Sequence, residues 1–434
     1  MLTIYAPHIT NRLAYICDFI FKNLLGCDFQ FVDSQYDAQI VYADTKPIED
    51  KFWIPLVNDL LFQTEILSFK VSVGKWNGLT TLFPMEADNV ARNSLPFDLF
   101  AASFYLLSRY EEYHIKEKDQ HGRFPAEASV AYKNHFLEIP LIDFWVYKLK
   151  EKLEKWNDTL VFHPGSYTFI PTIDVDSVYA YRNRGVVQTM ACCLRDLMKG
   201  SFENVKKRLL TVLRLREDPF FNLGEVDEIH EKSGLHPLFF FHCGWFGKHD
   251  KRAIYPSRRY AAVRNEISGK EVVGMHPSYN SAKCHFLFKI EKTMMTWNES
   301  PARPIRFHYL RMTVPETYEY VEKEGFSSDW SMCYSNDPGF RASTCHPFYF
   351  FNLKKNEVSN LKIYPTAVMD KTLKQNLKLN AEESLQYILR LRNVVKEVDG
   401  TFITLFHNEH FTENFGWKGW KEMYERMLVA CQSR

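Results

Sequence analysis

The sequence lacks any long apolar segment and any large excess of one charge. Apolar runs such as "LFFF" at 238–241 are far shorter than the roughly 20 residues that cross a bilayer. Its 54 Lys and Arg against 53 Asp and Glu leave a formal net charge of +1. No global field is therefore available to recruit nucleic acid or an anionic membrane, although a local patch is still compatible with these numbers. We expect neither a nucleic-acid partner nor a membrane span.

Cysteine pairs of the usual kinds are also missing. The nine cysteines, including adjacent Cys192 and Cys193, form neither an even framework nor a C-x-x-C pair. This pattern is typical of free thiols in a reducing compartment. The start, "MLTIYAPHITNRLAYICDFIF", has no basic segment followed by an apolar one, so no signal peptide is expected. Together these features predict a cytoplasmic protein.

The composition and length are those of a globular protein with two domains. Hydrophobic residues make up 46% of the chain and aromatic residues 15%, enough for large cores. The first part mixes short strands, such as "QIVYADT" (39–45), with helices at 97–113 and 142–156. The pattern then changes, which predicts a smaller mixed α/β domain of unknown role at 1–160 and a second domain at 161–434.

The second part alternates strand-like and helix-like segments. The strand-like runs are "YTFIPTIDV" (167–175), "HPLFFFHCG" (236–244), "EVVGMHP" (271–277), "PIRFHYL" (304–310), "LKIYPTAVM" (361–369) and "GTFITLFHN" (400–408). Helix-like runs lie between most of them, at 202–215, 257–268, 281–296, 315–324 and 380–397, the last with Asn380 as a good N-cap. This alternation predicts a parallel α/β domain, and its length of about 265 residues suits a (β/α) barrel.

Polar residues stand at or just past the ends of these strand-like runs, where a core would place Val, Ile or Leu. They are Asp174, Asp176, His242, His276, His308 and His407. In a (β/α) barrel the carboxyl ends of the strands converge on one face, so these side chains are expected to meet there. One such histidine is more often a hydrogen-bonded structural residue, but several together indicate a functional site.

An Asp, several His and a further acid fit metal-assisted hydrolysis. One Asp and two His can hold a divalent ion, while a free carboxylate takes a proton from water and a separate His protonates the leaving group. The D-x-D spacing of Asp174 and Asp176 suits this division, because the two carboxylates need not point the same way once the strand ends. Without the histidines, a solvated pair in a loop would be the better interpretation.

Four motifs, in order, resemble those of the NodB-type polysaccharide deacetylases (carbohydrate esterase family 4). They are "TIDVD" (172–176), "EVVGMHPSYNS" (271–281), "GFRAS" (339–343) and "FITLFHNE" (402–409), and "GFSSDWSMCY" (325–334) resembles the segment before the third in many bacterial relatives. The resemblance covers about residues 165–430 and implies a distorted, seven-stranded (β/α) barrel.

The amino-terminal part is similar to the uncharacterised region that accompanies this domain in a subgroup, mostly from Bacteroidetes. The stretches that carry this similarity are "FDLFAASFYLLSRYEEY" (97–113), "HGRFPAEAS" (121–129) and "RFHYLRMTVPETY" (306–318).

Carried over by position, the resemblance implies a role for each motif residue. Asp174 would be the base, Arg341 would hold it charged and aimed, and His407 would be the acid. Asp176 and His276 would bind the metal. Trp330, Pro347 and Tyr349 are the candidate substrate-binding residues; Tyr349 belongs to the aromatic run "FYFF" (348–351), which can stack on sugar rings or equally pack in a core.

The chain departs from the family where a second histidine of the metal motif should stand. Asn280 occupies this position, four residues after His276, and an amide oxygen is a weaker zinc ligand than imidazole. His308 is the preferred third ligand because it ends the next strand-like run, and Asn280 or His242 are the alternatives. Pro347 also lies farther from Arg341 than the family pattern places it.

The function implied is a metal-dependent hydrolase that removes an acetyl group from an N-acetylated or O-acetylated sugar or glycan precursor. A divalent metal, with zinc first, is the expected cofactor, and a carbohydrate or amino-sugar molecule is the expected substrate. Asn280 keeps open a metal-independent hydrolase of non-peptide C–N bonds on the same barrel, and a catalytically degenerate glycan-binding protein is a third interpretation. The oligomeric state is not set by the sequence.

Overall fold

The structure is a computed structural model of the chain, and it describes residues 1–47, 50–86, 91–244, 247–250, 258–295 and 304–432. Among these residues, six strands lie in the first part of the chain: β1 (Leu2–Tyr5), β2 (Phe29–Val32), β3 (Ile40–Ala43), β4 (Phe52–Pro55), β5 (Val73–Trp76) and β6 (Leu79–Leu82). The first four form a parallel sheet of order β2-β1-β3-β4, and the last two form a separate antiparallel pair. The strand predicted at 39–45 is confirmed as β3, which is buried along its whole length.

The helices of this part are α1 (Asn11–Cys17), α2 (Leu99–Leu107), α3 (Glu111–His114), α4 (Val130–Lys133) and α5 (Leu141–Trp156). The Asp98 side chain begins α2 by accepting from the backbone N–H of Ala101 at 2.9 Å. The helix predicted at 97–113 is divided into α2 and α3, because Arg109 takes a left-handed conformation with φ of 55°. This break turns the Arg109 guanidinium back onto the first turn of α3, where it donates to Glu111 and Glu112.

The second part of the chain builds a nine-stranded mixed sheet. Its strands are β7 (Thr168–Val175), β8 (Leu238–His242), β9 (Val273–His276), β10 (Pro304–Ile305), β11 (Ser328–Asp329), β12 (Phe348–Asn352), β13 (Glu357–Ile363), β14 (Val368–Met369) and β15 (Thr401–His407). The order is β12-β13-β11-β10-β9-β8-β7-β15-β14, and all neighbours are parallel except β12 and β13. The mixed α/β class is therefore as predicted, whereas the strand pairing gives this nine-stranded sheet and does not confirm a closed barrel.

The predicted strand at 361–369 is two strands joined by a crossing segment. Along this segment, Tyr364 N–H donates to the carbonyl of Asp329, the last residue of β11, and Thr366 N–H donates to the carbonyl of Met332. Ala367 N–H then donates to Ile403 on β15 at 3.0 Å. Residues 364–367 thus connect β11 to β15 by backbone hydrogen bonds.

In the described residues, eight α-helices accompany this sheet: α6 (Val186–Met198), α7 (Phe202–Val212), α8 (Leu223–Ser233), α9 (Arg258–Ser268), α10 (His285–Met294), α11 (Glu316–Lys323), α12 (Ala381–Lys396) and α13 (Trp420–Gln432). The predicted N-cap Asn380 is confirmed, since it forms a capping box with Glu383 at the start of α12. Within the described ranges, none of the helices combines the length and apolar character needed to cross a membrane.

Side chains of the sheet alternate between two faces, as the pleat requires. Ile173, Phe239 and Phe241 belong to the main apolar core, which also includes residues of the first part of the chain. Leu238 and Phe240 belong to a smaller cluster on the opposite face. The polar residues of the strand ends share this second face.

Candidate active site

The strand register places the predicted polar residues side by side. His407 on β15 is paired with Asp174 on β7, and His242 on β8 is paired with His276 on β9. Asp176 lies two residues beyond Asp174 and therefore on the same face. The expected convergence of the strand ends is what the structure shows.

Asp174 is held by a buried arginine that the sequence did not identify, Arg306. Its Nη1 donates to Asp174 Oδ1 at 2.9 Å and to Thr172 Oγ1 at 2.7 Å, and its Nε donates to the carbonyl of Trp330 at 2.9 Å. The guanidinium carbon also lies 4.4 Å from the ring centroid of Phe240. A cation so fully bonded compensates the buried Asp174 charge and fixes its orientation.

Arg341, predicted to hold Asp174, lies elsewhere, and this prediction is wrong. Its Nη2 and Nε donate to Glu112 of α3 at 2.6 and 3.0 Å, and Arg109 donates to the same carboxylate at 2.8 Å. Burial raises the pKa of Glu112, but the two guanidinium groups outweigh it and lower the pKa to about 2. Arg341 therefore joins the two parts of the chain, because the nearest buried carboxylate to it comes from α3.

The predicted metal ligands form a compact group at the end of the sheet. His276 Nε2 lies 3.2 Å from Asp176 Oδ1, and His308 Nε2 lies 3.6 Å from Asp176 Oδ2. One ligand atom from each of the three residues lies within 4.8 Å of the others, and all three side chains are buried. Zinc bonds of about 2.0–2.1 Å in a tetrahedron place two ligand atoms roughly 3.3 Å apart, close to these distances.

The second nitrogen of each imidazole is fixed in the way that metal ligands usually are. His276 Nδ1 donates to the carbonyl of Arg306 at 2.6 Å, and His308 Nδ1 donates to the carboxylate of Asp250 at 2.8 Å. Burial lowers the pKa of His276 despite Asp174 and Asp176, which favours the neutral ring, and with Nδ1 as the donor the lone pair is then on Nε2. An unprotonated His276 Nε2 that lies 3.2 Å from Asp176 Oδ1 repels it unless a proton or a cation lies between the two atoms. The three residues therefore fit a metal ion.

The two alternative ligands, Asn280 and His242, both lie outside the group of Asp176, His276 and His308. The Asn280 side chain is exposed, outside the buried ligand group. His242 is buried, and its Nε2 lies 3.5 Å from Asp250 Oδ1 in a second group that shares His308. The geometry thus favours His308 as the replacement for the histidine missing at Asn280.

His407 is oriented by an acid that directly follows β14, Asp370. The Nδ1–H of His407 donates to Asp370 Oδ1 at 2.8 Å, and His410 donates to the other oxygen at 2.6 Å. Burial and Lys371 lower the pKa of His407, but the charge and hydrogen bond of Asp370 outweigh them and the net direction is upward. His407 is thus prepared to carry a proton, with Nε2 as the nitrogen left for transfer.

Lys371 adds a cation beside the ligand group. Its Nζ lies 3.4 Å from Asp176 Oδ2 and 3.5 Å from Glu409 Oε1. Lys371 and Asp370 were both missed from the sequence, although they follow an apolar run just as Asp174 does. The same signal, a charged residue at the end of a strand-like run, would have found Asp370.

The three predicted substrate-binding residues lie in two places. Trp330 is buried and stacks on Tyr364 with ring centroids 4.1 Å apart, and its carbonyl supports Arg306. Pro347 and Tyr349 line a groove against α1, where their carbonyls accept from Asn23 and Tyr15. The structure therefore does not bring them together with the ligand group.

A wall of rings lies beside His308 instead. Tyr309, whose φ is 62°, is 4.7 Å from the His308 ring, and Tyr279 and His249 stack at 4.1 Å. The first part of the chain contributes His121, which contacts both tyrosines. We call these four residues the aromatic wall.

The first part of the chain also fixes the backbone of this wall. Arg123 donates to the carbonyl of Tyr309 at 2.6 Å, and Arg311 donates to the carbonyls of His121 and Tyr279. The Arg311 guanidinium carbon lies 3.9 Å from the Tyr279 ring centroid. His121 and Arg123, which come from the first part of the chain, thus help to shape one side of the site.

Comparison with known proteins assigns the first part of the chain to no characterised group. Residues 2–158 match a family of unknown function, DUF7033. This agrees with the uncharacterised amino-terminal region expected from the sequence. No curated protein matches the chain.

Among solved structures, the chain is similar to a presumed polysaccharide deacetylase from Mycobacterium smegmatis. The two share 11% sequence identity with a TM-score of 0.40. The alignment covers 62% of this chain and 85% of that one.

Proposed function

We propose that this chain is a metal-dependent hydrolase that removes an acetyl group from an N-acetylated or O-acetylated sugar or glycan precursor. The observation that carries the proposal is the pairing of a clamped carboxylate, Asp174, with the neighbouring group of Asp176, His276 and His308. The four motifs that resemble NodB-type deacetylases support it. We further propose that the sheet is a distorted barrel of that type, which residues 364–367 close between β11 and β15.

The donor set of one carboxylate and two imidazoles suits zinc among the divalent ions. When bound, such an ion would polarise the acyl carbonyl and lower the pKa of a water molecule. Asp176, His276 and His308 would hold it, with Asp250 and the carbonyl of Arg306 orienting the two imidazoles.

The side chains of this chain supply the proton transfers. Asp174 is placed to take the proton of the attacking water, because Arg306 occupies its Oδ1 and its Oδ2 lies 3.8 Å from His276 Nε2, beside the ligand group. His407 donates a proton to the departing nitrogen or oxygen, and Asp370 holds its ring for that step. The aromatic wall offers faces on which a sugar ring can stack. If the cytoplasmic localisation predicted from the sequence is correct, the substrate is a soluble or lipid-linked precursor.

Zinc binding and acetate release test this function together. His276→Asn is expected to weaken zinc binding by at least about a hundredfold in isothermal titration calorimetry, because it removes one of the three proposed ligands. Chelator-treated protein is expected to release no acetate from oligomers of N-acetylglucosamine, and added zinc should restore release. His236→Asn is the matched control, since His236 is 82% exposed and pairs with Glu271. Equal zinc affinity in the two variants, or acetate release that survives chelation, would contradict the proposal.

The pH profile tests the role of His407. Asp370→Asn removes the carboxylate that raises the pKa of His407, so the pKa of the imidazole falls. Because the acid must be protonated, the alkaline limb of kcat/KM is expected to move to lower pH by about 1 unit or more. The profile of acetate release between pH 5 and 9 measures this shift, and an unchanged alkaline limb would remove His407 from the acid role.

A further inference from the structure

Helices α6 and α7 form a hairpin that follows β7 in the chain, after a connecting segment at 176–185. Its base is held by Asp218, whose carboxylate accepts from the backbone N–H groups of Ala180, Tyr181 and Arg182 at 2.6 to 3.0 Å. Gly200, with φ of 68°, forms the turn between the helices. We call residues 182–216 the basic hairpin.

The basic hairpin exposes its apolar side chains. Eight of them are 60–85% exposed: Val186, Val187, Met190, Leu194, Met198, Phe202, Leu213 and Leu215. No residue between 182 and 222, all of which the structure describes, belongs to the main apolar core. Val186, Met190, Leu194 and Met198 are spaced four residues apart, so they lie on one face of α6. The hairpin is therefore amphipathic, and its apolar side faces away from the molecule.

The charge of the same segment is strongly positive. It contains nine Lys and Arg against two Asp and Glu, a net charge of +7 in a chain whose total is +1. Some of these arginines bond within the hairpin: Arg208 pairs with Asp196 at 2.7 Å and joins α7 to α6, Arg195 lies 3.4 Å from the same carboxylate, and Arg182 donates to the carbonyls of Thr211 and Arg216. Five of the basic residues are exposed: Arg195, Lys199, Lys206, Arg214 and Arg216. The local patch left open by the sequence is thus realised on the apolar hairpin.

We propose that the basic hairpin binds the surface of an anionic membrane. Its apolar side chains would enter the boundary between headgroups and acyl chains, and its basic side chains would contact the anionic headgroups. An amphipathic helix with exposed apolar residues and Lys or Arg nearby is the usual form of such a contact. Helices of 13 and 11 residues can lie in this interface but are too short to span the bilayer.

A second copy of the chain fits this surface less well. An isologous contact would place one hairpin of net charge +7 against another, and like charges repel across a closed interface. An anionic lipid surface satisfies the exposed apolar residues and the charge at once. This complementarity selects the lipid surface as the partner.

Sedimentation with sucrose-loaded vesicles tests the proposal on the full chain. We expect binding to equimolar phosphatidylcholine and phosphatidylglycerol that is at least about tenfold tighter than to phosphatidylcholine alone. Met198→Glu with Phe202→Glu should abolish this binding, and Lys199→Glu with Lys206→Glu should weaken it at least about tenfold. All four side chains are exposed, so the fold should be retained, which circular dichroism checks.

The control variants lie outside the hairpin. Phe286→Glu on α10 is 74% exposed and Lys232→Glu on α8 is also exposed, and both should bind the anionic vesicles as the parent does. Absence of parent binding to the anionic vesicles would overturn the proposal, as would an equal loss in the controls. Self-association in analytical ultracentrifugation that the Met198 and Phe202 changes abolish, without any vesicle binding, would assign the surface to a second copy instead.

Discussion

Replacing Asp174 with asparagine is expected to lower kcat for acetate release by at least about a hundredfold. An amide cannot take a proton from water, but its oxygen can still accept from Arg306. The guanidinium also keeps its hydrogen bonds to Thr172 and Trp330, so the local structure has two further supports. Because Asp174 is not among the proposed metal ligands, zinc content by mass spectrometry is expected to stay at the parent level.

The matched control for this prediction is Asp33→Asn, since Asp33 is exposed in the first part of the chain. It removes the same charge by the same replacement of one carboxylate oxygen by an NH2 group, and it should leave turnover as in the parent. Unchanged turnover of the Asp174 variant with intact zinc would mean that another group is the base. Loss of zinc together with turnover would instead place Asp174 among the ligands.

Replacing Glu112 with glutamine is expected to lower the free energy of unfolding by about 3 kcal/mol. Glu112 is the shared acceptor for Arg341 and Arg109, and all three side chains are buried. Glutamine keeps one oxygen that can accept from Arg341 but carries no charge, so the buried Arg341 cation loses its counter-ion in a low-dielectric environment. Urea denaturation, followed by circular dichroism, measures the loss.

An exposed ion pair provides the control for Glu112. Glu382→Gln removes the partner of Arg426, and both side chains are more than half exposed, so we expect a change below about 0.5 kcal/mol. The pKa of Glu112 falls from its ordinary value of 4.5 to about 2 on folding. Its stabilisation is therefore complete above pH 4.5 and is lost as the pH falls through about 2, so the gap between parent and variant should close in acid. An equal loss of unfolding free energy in the two variants, or a loss in the Glu112 variant that does not depend on pH, would contradict this account.

The alternation of strands and helices in the second part could be predicted from the sequence, since most predicted strands and helices are present within a few residues. The strand at 304–310 is the informative exception. Only Pro304 and Ile305 pair as a strand, and His308 begins a tight turn in which Tyr309 and Leu310 have positive φ. The tertiary contacts of this turn override its β propensity. His308 still reaches the ligand group because the preceding strand aims the chain there.

The identity of the clamping arginine could not be found from motif order. Arg306 and Arg341 both lie in stretches that resemble the family, "RFHYLRMTVPETY" and "GFRAS". Which of them holds Asp174 depends on the carboxylate that each guanidinium reaches in three dimensions. Glu112 is 229 residues from Arg341 in sequence and ends a helix-like run whose charges indicate a solvent-exposed end. Only the packing of α3 against the second part of the chain buries it. Contacts of this sequence separation leave no pattern in a single sequence.

The hydrogen bonds of Arg109, Arg123 and Arg341 between the two parts of the chain bear on how the gene can evolve. Each hydrogen bond joins the first 160 residues to the rest of the chain. Arg123 donates to the Tyr309 carbonyl, Arg109 donates to the Tyr334 phenol, and Arg341 donates in the other direction, to the Glu112 carboxylate. A gene fragment that carried only the second part would encode a protein with a buried cation lacking its counter-ion and with one wall of its cleft unsupported. Recombination at the boundary predicted from the change in sequence pattern would thus be selected against, and the two parts are expected to be inherited as one unit.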